Sequence, residues 1–204
     1  MRGLRIVGLR SELAGPFDLA IERGAVAISG ASGSGKSLFL RMLADLDPNE
    51  GEVWLDGERR SEMPAPAWRR LVAYSAAESG WWSESVADHF PGKALDAARA
   101  LAPRLALASH LLDGPVTRLS SGEKLRLALI RVLLLEPRVM LLDEPTGAVD
   151  QATALLVEQV LRQRMEIGTI LVLATHDPAQ PARLGARHLR MVAGRLEGAC
   201  SQSC

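Results

Sequence analysis

The segment GASGSGKS, residues 30–37, brings three glycines, a lysine and a serine hydroxyl into one short stretch. Glycines let the backbone fold back tightly enough for successive N–H groups to converge, and a helix that follows adds its positive end. The pattern G-x-x-x-x-G-K-S is complete, so the chemistry expected is the cradling of nucleotide phosphates. Gly30, Ala31, Ser32, Gly33, Ser34, Gly35, Lys36, Ser37 and Leu38 form that expected cradle, with Lys36 reaching the β- and γ-phosphates and Ser37 ligating Mg²⁺. A second segment, VMLLDE at 139–144, ends an apolar run in two carboxylates. Side chains alternate across a strand, so the two need not share a role; Asp143 is assigned to Mg²⁺ and Glu144 to polarising the attacking water. His176, after the apolar run that ends in ATHD, is placed to reach the γ-phosphate or that water. Taken singly, each has a plainer reading: a glycine-rich turn, an acidic strand end, a histidine that caps a turn. His89, His110 and His188 keep the plain reading, as structural or surface residues.

Three elements must position these groups. A strand at 25–29 leads into the cradle and a helix from Lys36 to about Leu46 leaves it. The strand at 139–142 is fully apolar, as parallel strands buried on both faces are, and 169–174 reads as a second buried strand. Further strands are expected at 4–9, 17–21, 53–55 and 71–74, with Asp56-Gly57 as a hairpin turn, and a late hairpin over Ala193-Gly194. Ser83 reads as the N-cap of a short helix ending near Phe90. Residues 94–112 read as one or two helices divided near Pro103, and 122–135 and 154–165 as strong helices. Strands alternating with helices argue for a mostly parallel sheet covered by helices. The expectation is one α/β domain over 1–204, with a small N-terminal antiparallel part and a helical lobe inserted at 80–118.

The stretch LSSGEKLRLALIRVLLLEPRVMLLDEPTGAVD, residues 119–150, separates this chain from other phosphate-cradling proteins. Leu119, Ser120, Gly122 and Glu123 resemble the LSGGQ-type signature of the nucleotide-binding domains of ABC transporters. Asp143 and Glu144 resemble that family's Walker B region, residues 147–150 its D-loop, and His176 its switch histidine. With residues 30–37 the resemblance covers nearly the whole chain. It implies a P-loop ATPase that uses ATP and Mg²⁺, with Lys36, Glu144 and His176 catalytic. It implies a second ATPase domain, identical or related, docked head to tail, with ATP between one cradle and the other's Ser120, Ser121, Gly122 and Glu123, and with Asp150 at the joint. The helix end behind Ser120 carries partial positive charge suited to a γ-phosphate. The compact size and the AYSAAE region resemble small bacterial ATPases of exporter-type systems.

Three positions depart from the family's pattern. Ala77 stands where a metal-shell glutamine is usual, which puts coupling in question. Phe17, the sole aromatic before the cradle, falls in a strand pattern and reads as core, leaving adenine to aliphatic contacts. Ser121 replaces a glycine and is expected to be tolerated, since serine suits a helix start.

Basic and acidic residues balance at 24 each, so no net basic charge points to nucleic acid. The polar start argues against a signal peptide, and no run of 18 apolar residues occurs. The expectation is a cytoplasmic chain held peripherally at the membrane by an integral permease subunit. Trp81 and Trp82 open the lobe and read either as core or as a pocket for a helix of that permease. Cys200 and Cys204 read as a tail without a role. The rivals are a non-transport ATPase of the same type, a small-molecule kinase, and a regulatory module that binds ATP but hydrolyses it poorly.

Overall fold

The computed structural model describes residues 2–198; Cys200 and Cys204 lie outside the described residues. Strands β1 (Leu4–Arg10) and β2 (Phe17–Ile21) alternate buried and exposed residues. With β4 (Glu50–Leu55) and β5 (Glu58–Arg59) they form an antiparallel sheet in the order β2-β1-β4-β5. The Asp56-Gly57 turn joins β4 to β5 as its composition predicts. One buried face of this sheet supplies Leu4, Ile6, Phe17 and Val53 to a common core.

The second sheet has the order β10-β9-β3-β8-β7-β6. Its strands are β3 (Ala25–Ser29), β6 (Val72–Ser75), β7 (Val139–Asp143), β8 (Ile170–Ala174), β9 (Arg187–Val192) and β10 (Arg195–Glu197). All neighbouring pairs are parallel except β9–β10. Every residue of β7 and β8 is buried, because helices cover both faces of the sheet. Helix α1 (Lys36–Leu43) lies between the two sheets, with Phe39, Leu40, Met42 and Leu43 wholly inaccessible. On the other face pack α4 (Ser121–Leu134), α5 (Gln151–Glu166) and the short helices of residues 87–118 around a second core that includes Leu105, Leu129, Leu142 and Leu173.

Several expected boundaries move. α1 stops at Leu43 rather than Leu46, because Asp45 turns to φ 58° and the Trp68 indole N–H donates to the Leu43 carbonyl at 2.9 Å. Helix α2 (Ala65–Leu71), too short to show a period, delivers that tryptophan. Ser83 caps no helix: its hydroxyl donates to Asp88, and the turn at Ala87–His89 is 3₁₀ with Val86 before it. Residues 80–118 hold that turn, α3 (Lys93–Leu101) and 3₁₀ turns at Ala102–Leu105, Ser109–Asp113 and Val116–Arg118. The helix α6 (Gln180–Leu184) links β8 to β9. Among the described residues no helix is long and apolar enough to cross a membrane.

Candidate functional site

The parallel sheet brings the three sequence segments together at the carboxyl ends of adjacent strands, where ligands of open α/β sheets bind. β3, β8 and β7 are neighbours, and two hydrogen bonds stitch their ends: Thr175 N–H donates to Ile28 O at 3.0 Å, and Glu144 N–H to Ala174 O at 3.0 Å. Residues 30–35 leave β3 and wrap back to the start of α1. A side chain at Gly30 would put Cβ 2.4 Å from the Met191 carbonyl, a contact that glycine alone avoids. The Lys36 ammonium donates to the carbonyls of Gly30 and Ala31 at 2.8 and 3.1 Å. Its side chain thus folds back across the loop and presents the charge over the cradle.

His176 Nε2 lies 3.5 Å from Lys36 Nζ and 3.3 Å from Glu144 Oε1, and the His176 N–H donates to Glu144 Oε2 at 3.2 Å. Glu144 Oε1 is buried and, for all its nearness to the imidazole, lacks hydrogen-bond geometry to any partner. Burial raises the Glu144 carboxyl above its ordinary value, against the lowering pull of the His176 N–H. Glu144 also holds φ 50°, a left-handed conformation uncommon for a residue with Cβ, at the head of a turn closed by Gly147 N–H donating to Glu144 O.

A network fixes the segment that carries His176. Glu158 is fully buried on α5 and accepts two bonds from Arg183, at 2.8 and 2.6 Å; Arg183 also donates to Asp177 at 2.6 Å. The Gln180 amide donates to Thr146 Oγ1 at 2.9 Å and so joins this segment to the loop after Glu144. The Arg183 guanidinium and the Ala179 N–H hold the Asp177 carboxyl below its ordinary range.

Asp143 ends β7 in a buried position, and one of its oxygens, Oδ2, accepts from the Tyr74 hydroxyl at 3.0 Å. The donors suited to a hard cation are therefore the Asp143 carboxylate and the Ser37 hydroxyl. Among the described residues no group of three or more His, Cys, Asp or Glu could hold a metal. The pair fits Mg²⁺ only in company with phosphate oxygens, which is how this cation is held beside nucleotides.

The signature residues are arranged differently. Ser120 caps α4 in a reciprocal box: its hydroxyl accepts from Glu123 N–H, and the Glu123 carboxylate accepts from Ser120 N–H at 2.8 Å. Ser121 is the first residue of α4 and exposed, as a tolerated replacement requires. A Cβ at Gly122 would sit 2.6 Å from Ala148 O, so glycine here permits close approach to the loop that ends in Asp150. Asp150 is exposed and spends its carboxylate on capping α5, accepting from Thr153 N–H and Oγ1 at 2.9 and 2.8 Å. Among the described residues no hydrogen bond or ion pair joins residues 120–123 to 30–37.

Phe17 is core, packed edge-on against Phe39 at 4.7 Å. Two candidates escaped sequence reasoning. Leu13 is 83% exposed on a loop tied to the cradle, since Gly15 N–H donates to Gly194 O and Gly194 N–H to Ser34 O; a leucine in the connection between two strand patterns was its signal. Tyr74 is the other, a phenol near the end of a strand beside β7. The tryptophans divide: Trp81 is half-buried against the second core, and Trp82 is 72% exposed. Arg131 lies over both rings at 4.7 and 5.0 Å. His89 is buried; its Nε2 accepts from Trp82 and Ser83 N–H, which leaves Nδ1 to donate to Ser85 O. His188 lies in β9, 2.8 Å from the Ser29 hydroxyl, and His110 in a lobe turn.

A family model described as ABC transporter matches residues 15–147. The aliphatic sulfonates import ATP-binding protein of Paraburkholderia xenovorans is 36% identical over 203 residues, covering 95% of this chain and 58% of that protein. The chain therefore spans little more than half the length of that relative. Lipoprotein-releasing system ATP-binding proteins are 35% identical in Pseudomonas syringae pv. tomato and 34% in Nitratidesulfovibrio vulgaris, with 82% and 93% of those proteins covered, and 84% and 94% of this chain. A bacterial Atm1-family ABC exporter with ATP bound superposes at TM-score 0.81, with 22% identity over 96% of this chain and 38% of the other. The ATP-binding cassette MJ0796, in a dimeric post-hydrolysis state bound to ADP and Pi, superposes at 0.78, with 22% identity over 95% and 97%. The chain belongs to the ABC transporter family, as an ATP-binding domain.

Proposed function

We propose that this chain is the ATPase subunit of an ABC transporter, binding Mg-ATP, closing against a second ATPase domain and moving a separate membrane permease. The observation that carries the hydrolytic part is the cluster in which Lys36 Nζ and Glu144 Oε1 lie 3.5 and 3.3 Å from His176 Nε2. In this reading residues 30–38 hold the phosphates through backbone N–H groups and the α1 terminus, and Lys36 neutralises the β- and γ-oxygens. Ser37 and Asp143 would hold Mg²⁺, which supplies charge neutralisation at the phosphates. Glu144 orients the attacking water and accepts its proton, and burial of its carboxyl makes it a stronger base. His176 bridges Glu144 to the γ-phosphate side. The exposed apolar side chain of Leu13 offers the adenine ring an aliphatic surface in place of an aromatic one.

Closure supplies what one chain lacks. The exposed N-terminus of α4 at residues 120–123 meets the γ-phosphate held by the partner's cradle, a dimer like that named for MJ0796. The permease seat is the groove of about 290 Å³ beside residues 80–118, lined by Trp82, Arg131 and Leu135. Relatives named for import and for release match at 36% and 35%, and what they share is the ATP-binding role. The unpolar, exposed Ala77 favours a second reading, a module that binds ATP and turns it over slowly.

Phosphate release by the purified chain tests the first reading. Wild type should hydrolyse ATP, with a rate per chain that rises with concentration as dimers form. Glu144→Gln should keep nucleotide binding and lose about 100-fold or more in rate, the scale of a general base. Binding without turnover in wild type would select the second reading.

A further inference from the structure

We propose that Tyr74 is the positioning residue of the cation site, holding the Asp143 carboxylate in the orientation that Mg²⁺ requires. The inference rests on the ATP-binding reading and goes beyond it, because neither the cradle nor the signature calls for a phenol at this place.

The geometry is local and direct. Tyr74 lies on β6, paired in register with Leu141 of β7, two residues before Asp143. Its hydroxyl crosses to the neighbouring strand's end and donates to Asp143 Oδ2 at 3.0 Å. A phenol has one O–H to give, and Asp143 is its recipient. A carboxylate at a strand end is otherwise free to rotate about its last bond. With Oδ2 held, its plane is set, and Oδ1 has no hydrogen bond among the described residues. Partners of this kind, one bond behind a metal ligand, commonly fix the ligand's orientation and raise metal affinity.

Among the described residues no other side chain donates to the Asp143 carboxylate. Ala77, three residues along the same segment, is exposed and offers no polar atom beyond its backbone. Tyr74 also lines the groove that holds Trp82, Arg131 and Leu135, and the adjoining one of about 190 Å³ that holds Leu46 and Arg69. One residue therefore belongs both to the groove lining and to the hydrogen bond on Asp143.

The test is binding, not turnover. A fluorescent ATP analogue is titrated onto wild type and Tyr74→Phe in excess chelator, then with rising Mg²⁺, and Mn²⁺ bound to the complex is counted by electron paramagnetic resonance. Tyr74→Phe keeps the ring and removes the donor. The expected result is unchanged affinity without metal, which doubles as the control for folding, and Mg²⁺ and Mn²⁺ affinity lowered about tenfold. Equal metal affinity in the two proteins overturns the inference and leaves the ATP-binding reading standing. An equal loss with and without metal also overturns it, since that is what a merely structural role would produce. Failure of wild type to bind the nucleotide at all overturns both.

Discussion

The cradle half of the site and the signature half are built on opposite plans. In the first, groups far apart in sequence converge: Lys36, Glu144 and His176 meet at the ends of three adjacent strands, and the loops that carry them are cross-braced from behind. In the second, each polar group is satisfied within a few residues of itself. Ser120 and Glu123 cap one helix, Asp150 and Thr153 the next, and the surface they form faces outward. A cluster converged from three strands can bind and polarise a ligand alone. An exposed helix terminus whose side chains are already occupied has only its dipole and free N–H groups to offer, and needs a ligand brought to it. The contrast is the physical reason to expect two chains around each nucleotide.

The largest break in the first half should come from its bracing. Arg183→Met leaves the buried Glu158 without its charged partner and with only the Gln180 amide donating to it, and removing one member of a buried ion pair costs about 3–5 kcal/mol; urea unfolding should show that loss, and an unchanged midpoint would contradict the network's role. In the second half, Gly122→Val forces Cβ toward the Ala148 carbonyl, now 2.6 Å from where it would stand. Overpacking of that kind costs about 1–3 kcal/mol. Sedimentation in the Glu144→Gln background should show ATP-driven pairing lost while ATP affinity of the single chain persists; pairing intact would remove the loop at 147–150 from the account. Ser120→Ala should cost about 1 kcal/mol through the lost cap, read as a small drop in melting temperature with the nucleotide affinity of the single chain unmoved.

The smallest effect concerns titration. Burial raises Glu144 in the folded chain, so its neutral form is favoured there relative to the unfolded chain. Stability from this group is therefore full at low pH and declines as pH rises through the shifted value. Carboxyl ¹³C resonances should include one glutamate that titrates above the ordinary range and vanishes in Glu144→Gln. A Glu144 signal at or below the ordinary value would contradict the buried-base assignment.

The cradle was legible because its chemistry is contiguous: a lysine and serine behind glycines, two carboxylates at the end of an apolar strand. A mostly parallel sheet followed from apolar runs of the kind that a doubly covered sheet buries, whereas the strand order is known from the structure alone. What escaped was the contact made across strands. Tyr74 and Asp143 lie 69 positions apart, and no periodicity joins them. α2, seven residues with Pro64 as its N-cap and Pro66 as its second residue, carries too little pattern to be seen, yet its Trp68 sets where α1 stops. The turn at Ala87–His89 is held by His89 taking two backbone N–H groups, a tertiary arrangement that a capping rule applied to Ser83 does not anticipate.

The transporter reading is tested most directly by what the chain holds in membranes. The Glu144→Gln form would be tagged in its native host, and membranes solubilised gently with Mg-ATP present, so that slowed hydrolysis keeps the closed assembly together. A multi-span integral membrane protein recovered in stoichiometric amount, and lost with Trp82→Ala, is the predicted result. Recovery of the chain only from the soluble fraction, free or with non-membrane partners, would contradict it.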